Sequence, residues 1–172
     1  MKSLALKVLA GFLCLAAATA ACAKKSADAP APGQAKKLQI AVIPKGTTHE
    51  FWKSIHAGAV RAAQELGVDV IWKGPQKEDD RAQQITVVED FISRGVDGIV
   101  LAPLDDRALV RPVRDAAREG IPVVVIDSGL QGSDHVSYVA TDNYKGGVLA
   151  ARRLGQLLAG RGRIFVIRYQ EG

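Results

Sequence analysis

Between Pro44 and Trp52 the chain reads PKGTTHEFW. A short apolar run, LQIAVI, precedes it and a stretch with helical spacing follows. Two large aromatics, Phe51 and Trp52, stand beside His49 and Glu50 in a chain that is only 5% aromatic. Aromatic rings at a strand end can stack on the apolar C–H face of a ligand ring. Helix N-terminal amides and nearby polar groups can then hold its hydroxyls or an anionic group. The competing reading is structural, with Phe51 packed against Ile55 and Trp52 filling a gap between helix and sheet. Thr47 and Glu50 have the spacing of a capping box, with Thr47 as N-cap and Glu50 three residues on.

A second candidate lies in PVVVIDSG, where an apolar run ends at Asp127 and Ser128. A carboxylate there can accept two hydroxyl hydrogen bonds from one ligand; the same residues can also simply make a turn. His49 and His56 are seven apart and could share a helix face, but HEFWKSIH is not H-E-x-x-H and no third ligand has suitable spacing, so no metal is expected. His135 beside Asp134 reads as a polar turn. No nucleophile–base pair and no G-x-S-x-G is present. No G-x-G-x-x-G follows the first strand and no G-x-x-x-x-G-K-[ST] occurs, so no dinucleotide or other cofactor is expected.

The elements that must position these residues alternate. LQIAVI, VDVIW, GIVLA, IPVVVI, VSYVAT and RIFVIR read as six strands. Between them, Phe51, Ile55, Ala59, Ala62 and Leu66 recur at helical spacing, and Gly67 ends that helix. A second helix carries Ile85, Val88 and Ile92 on one face, with Gly95 past its end. A third, RALVRPVRDAARE, has a cap at Asp105 or Asp106 and an expected kink at Pro112. A fourth covers DNYKGGVLAARRLGQLLAGRG. Strands alternating with helices predict an α/β fold, a parallel sheet flanked by helices in a Rossmann-like, flavodoxin-like lobe. The strands are continuous apolar runs, as expected when helices cover both faces. In such sheets ligands lie beyond the carboxyl ends of the strands. The loops to search are therefore Pro44–Trp52, Lys73–Asp80, Ala102–Arg107, Asp127–Gly132 and Tyr169–Gly172.

Charge excludes one class of partner. The chain has 23 Lys and Arg against 18 Asp and Glu, a net charge of +5. Two of the positive charges, Lys2 and Lys7, open an N-terminal targeting segment, residues 1–21, whose apolar stretch is too short for a spanning helix. The rest alternate with acids, as in RPVRDAARE, which is a solvated helix face and no nucleic-acid patch. Both cysteines, Cys14 and Cys22, fall at this end, so the globular part has no disulfide and no thiolate metal site. TAAC resembles the lipobox of bacterial lipoproteins, which implies lipidation at Cys22; the usual Leu is replaced by Thr19, and cleavage after Ala18-Thr19-Ala20 is the alternative. Residues 22–37 are rich in Ala, Pro, Ser and Lys and read as a flexible tether.

With THEFW, the run ALVRPVRDAAREGIPVVVIDSG and the segment TDNYKGG in this order, the chain from Leu38 to Gly172 resembles periplasmic sugar-binding proteins of the ribose/galactose type. These share their fold with the effector domains of lac-repressor-like regulators. Where that family commonly shows Asn-Pro before its aromatic pair, this chain has His49 and Glu50. The resemblance implies two lobes closing on a ligand: residues 38–141 as a complete N-terminal lobe, and residues 142–172 as the start of an incomplete C-terminal lobe. It implies a truncated or partial protein.

The resulting expectation is a substrate-binding protein of an ABC importer, not an enzyme. It would bind a monosaccharide-like solute through His49, Phe51, Trp52, Asp127, Ser128, Arg168, Gln170 and Glu171. It would work in the periplasm or cell envelope, meeting the membrane only through a lipid on Cys22. Its partners would be a sugar, a membrane permease and a chemoreceptor or sensor kinase. A periplasmic ligand-sensing domain is the first alternative. An exported flavodoxin-like enzyme is the second, and the absence of a catalytic or cofactor motif stands against it. A transcription factor is disfavoured because no helix-turn-helix precedes Leu38.

Overall fold

Five short segments pair into one fully parallel sheet in the computed structural model, which describes residues 36–167. They are β1 (Gln39–Ile43), β2 (Asp69–Trp72), β3 (Gly98–Leu101), β4 (Val123–Ile126) and β5 (Ser137–Val139), in the order β2-β1-β3-β4-β5. Register follows from the apolar runs: Ile40 lies opposite Val70 and Gly98, and Val124 opposite Ser137. Four helices connect and follow the strands: α1 (Glu50–Leu66), α2 (Arg81–Arg94), α3 (Val110–Arg118) and α4 (Asn143–Leu157). Right-handed crossovers put α1 on one face of the sheet and α2 and α3 on the other.

The core forms on the α2–α3 face. Alternate strand residues Ala41, Ile43, Ile99, Leu101, Val123 and Val125 point to it, and Val87, Val88, Phe91, Leu109, Val113 and Ala116 close it from the helices. On the other face Val100, Val124 and Ile126 remain half-buried, so the expectation of helices covering both faces holds fully for one face only.

Several local expectations change. The capping box at Thr47 and Glu50 does not form: α1 begins at Glu50, His49 is its N-cap residue, and no side chain caps it. The Glu50 carboxylate instead accepts from Lys53 Nζ at 2.6 Å, because one turn of helix brings these residues together. The buried position in α1 is Trp52, with Ile55, His56, Ala59 and Ala63 half-buried, so the inward face is rotated by about one residue from the expected one. In α2, Gln84, Val87, Val88 and Phe91 are buried, and Ile85 and Ile92 only flank the core.

α3 is shorter than expected. Asp105 stabilises the turn before it by accepting from the Arg107 and Ala108 amides. Pro112 therefore lies in the first helical turn, where a missing N–H costs no intrahelical bond, and the helix continues past it to Arg118. RIFVIR forms no strand within its described residues: Phe165 is 97% exposed and no neighbouring strand supplies hydrogen bonds. A strand without a partner leaves its amides to water and gains nothing from its pattern. α4 starts as expected, with Asp142 accepting from the Lys145 amide at 2.9 Å, yet buries none of its residues.

Candidate functional site

A parallel sheet places all its strand carboxyl ends on one side. The chain moves from β1 outward to β2 and returns past β1 to β3, so the direction of winding reverses between β1 and β3. That reversal opens a crevice between the loops that follow these two strands.

Gln84 sits beneath it. Its side chain is fully buried, and its Nε2 donates to Pro44 O at 3.1 Å and to Ala102 O at 2.8 Å. Its Oε1 accepts from the Leu104 amide at 2.8 Å. One amide thus joins the end of β1 to the end of β3, and its own polar atoms are satisfied. The sequence reading passed over it because it lies in the polar run RAQQ. The spacing Gln84, Val87, Val88, Phe91 is nevertheless one helix face, and that signal was available.

The loop after β2 folds against the loop after β1. Trp52 Nε1 donates to Glu78 Oε1 at 2.6 Å, Thr48 Oγ1 to Gln76 O at 3.5 Å, and His49 Nδ1 lies 3.9 Å from Glu78 Oε1. Trp52 is 2% exposed, whereas Phe51 is 54% exposed. The rings meet edge to face, 4.9 Å between centroids and 78° between planes. The aromatic pair therefore divides its work: Phe51 offers its ring to solvent, and Trp52 supports it from within, so the structural alternative holds for Trp52 and not for Phe51. His49 stays largely exposed.

Across the crevice, the loop after β4 begins with Asp127 at φ 65, a left-handed conformation uncommon for a residue with a side chain. Its amide donates to Val139 O of β5 at 3.0 Å. Lys45 Nζ lies 2.9 Å from Asp127 Oδ2 and also donates to Ser128 Oγ. Ser128 Oγ in turn donates to Asp127 Oδ2 at 3.3 Å. Lys45 was not among the expected site residues; a lysine after a strand looks like any surface charge until the fold brings it to the end of β4.

The loop after β3 is held by Asp105. Its carboxyl is lowered to about 2, first by the Ala108 amide, then by the Arg107 amide, then by Arg81, whose Nη1 donates at 2.8 Å. Among the described residues no cluster of His, Cys, Asp or Glu could hold a metal ion. Arg168, Gln170, Glu171 and Cys22 lie outside the described residues.

The site thus combines an exposed aromatic ring, an ion pair and a hydroxyl at the carboxyl ends of parallel strands. The family model for the periplasmic binding protein domain matches residues 40–172. The chain belongs to the periplasmic binding protein family. A member from Pseudomonas aeruginosa, a D-ribose/D-allose-binding protein, is 38% identical over 135 residues, covering 73% of this chain and 41% of that protein. The ribose import binding protein RbsB of Bacillus subtilis is 34% identical over 119 residues, 69% of this chain and 38% of the relative. Among solved structures, a carbohydrate transporter solute-binding protein from Agrobacterium radiobacter, in complex with D-arabinose, matches with a TM-score of 0.68 and 35% identity. That match covers 73% of this chain and 42% of the other. The chain accordingly spans about 40% of the length of the periplasmic binding proteins it matches. The parallel five-stranded sheet with its flanking helices is a lobe of this family's fold.

Proposed function

We propose that this chain carries one ligand-binding face of a periplasmic solute-binding protein that delivers a monosaccharide-like sugar to an ABC importer, without catalysing a reaction. The observation that carries the reading is the convergence of the exposed Phe51 ring with Lys45, Asp127 and Ser128 at one end of the sheet. An aromatic ring can cover the C–H face of a pyranose or furanose while carboxylate and hydroxyl groups take its hydroxyls. Relatives described as ribose-, allose- and xylose-binding support the same class of ligand.

In this reading Phe51 stacks, Trp52 holds Phe51 in place, and His49, Asp127 and Ser128 bind hydroxyls. Arg168, Gln170 and Glu171 face the ligand from the start of a second lobe that opens after residue 141, and hinge closure traps the sugar. The protein works in the periplasm, anchored through a lipid on Cys22, and presents its loaded form to a permease.

Calorimetric titration of the full chain with D-ribose, D-allose and D-xylose tests the reading. Saturable binding of at least one is expected, weakened about tenfold in Phe51→Ala through lost contact with the sugar face. Absence of binding to every sugar tried would overturn it.

A further inference from the structure

We infer that Lys45 is a specificity-determining ligand contact, forming with Asp127 a donor–acceptor pair that grips adjacent hydroxyls of an uncharged sugar and disfavours acidic sugars. The inference rests on the sugar-binding reading above and adds to it a residue and a charge class.

The geometry is unusual for a plain surface ion pair. Lys45 follows β1 and Asp127 follows β4, and β3 lies between these strands. Two strand spacings, roughly 9.6 Å, separate their backbones. The lysine stem must therefore cross the carboxyl end of β3, where the residue beyond the strand is the small, fully buried Ala102. The side chains are 19% and 32% exposed, so the pair forms part of the crevice floor and is still reachable from solvent.

The pair also has capacity left. An ammonium has three protons; Lys45 donates one to Ser128 and is ion-paired with Asp127, which leaves at least one proton unengaged. Asp127 Oδ1 has no partner among the described residues, since its side-chain contacts with Lys45 and Ser128 both use Oδ2. One free donor thus stands beside one free acceptor. A sugar hydroxyl both donates and accepts, so neighbouring hydroxyls can satisfy both groups at once. A charged partner strengthens each such bond relative to a neutral one.

Charge decides against an acidic ligand. Lys45 is already neutralised by Asp127 at 2.9 Å. The four loops Pro44–Trp52, Lys73–Asp80, Ala102–Arg107 and Asp127–Gly132 together hold seven carboxylates against four Lys and Arg. An anion entering the crevice would meet a net negative rim and compete with Asp127 for the ammonium.

The test titrates the full chain and its Lys45→Met variant with D-ribose, D-allose, D-xylose and D-galacturonate. The wild type should bind a neutral sugar and not the uronate, and Lys45→Met should bind the neutral sugar about 10- to 100-fold more weakly, the cost of losing a charged hydrogen bond. Unchanged affinity in Lys45→Met, or a wild type that prefers the uronate, overturns the inference while leaving sugar binding intact. A wild type that binds none of the four refutes the sugar reading itself, and the inference with it. Circular dichroism checks that Lys45→Met folds. If it does not, Lys45→Arg keeps the charge but moves its donors; the order of preference among the neutral sugars should then change, and an unaltered order with unaltered affinities also overturns the inference.

Discussion

Asp105 shows how much a single carboxylate can hold. One oxygen takes two backbone amides of its own turn and the other takes Arg81 from the start of α2. Its carboxyl is lowered from 3.8 to about 2, so the folded state binds its proton less readily than the unfolded chain. The stabilisation is present above 3.8 and is lost as pH falls from 3.8 through about 2. Urea melts of the wild type should therefore lose midpoint steadily across that window. Asp105→Ala should cost about 1 kcal/mol at neutral pH, the usual loss for a capping side chain, and should flatten the acid slope. An identical slope in the variant would remove Asp105 as its cause. At this scale the sequence announced Asp127 and Phe51 by type and place. It did not announce Lys45 or Glu78, because their roles depend on partners 83 and 26 positions away, and it marked Gln84 only as one position of a helix face.

Between elements, Gly74, just after β2, has the least room for a side chain among the glycines of the described residues. A methyl group there would stand 2.8 Å from Pro44 Cδ and 2.9 Å from Pro44 O, and the proline follows β1 directly. Neither atom can yield without moving the strand end. Gly74→Ala should destabilise by about 1–3 kcal/mol, an overpacking cost. Gly58→Ala, in open space within α1, should stabilise by about 0.5–1 kcal/mol through helix propensity. Thermal melts of the two variants read both signs, and melting points that move together would contradict this packing. Element types were largely legible from the strand runs and the glycines at helix ends. Their edges and faces were less so. The α1 face turned because Trp52 found Glu78, a long-range partner that helical spacing cannot show. RIFVIR has the pattern of a strand, but pairing is a property of two segments, and the described chain supplies only one.

For the molecule as a whole, the alternation of strand and helix carried the parallel sheet, because each crossover helix has to return the chain to the same end. What the alternation could not carry was coverage. Helix α1 lies over β2, while the half-buried Val100, Val124 and Ile126 on the opposite side from the core are a matter of how many elements reach that face. The envelope anchor proposed for Cys22 is also a property of the entire chain. In cells, Cys22→Ser should move the protein from the membrane fraction to the soluble fraction without changing its sugar affinity. Retention in the membrane fraction would rule out a lipid on that residue.

The three bonds of Gln84 set how the crevice can breathe. Pro44 and Ala102 share one donor group, and Leu104 leans on the same side chain. If either loop peeled away, the amide would be left buried and half-satisfied, and the other loop would lose its brace. The two rims are therefore latched into one opening event, in which they fluctuate together or not at all. Such a surface behaves as a plate and not as separate fingers, and a visiting molecule meets a preset relief with little order left to impose.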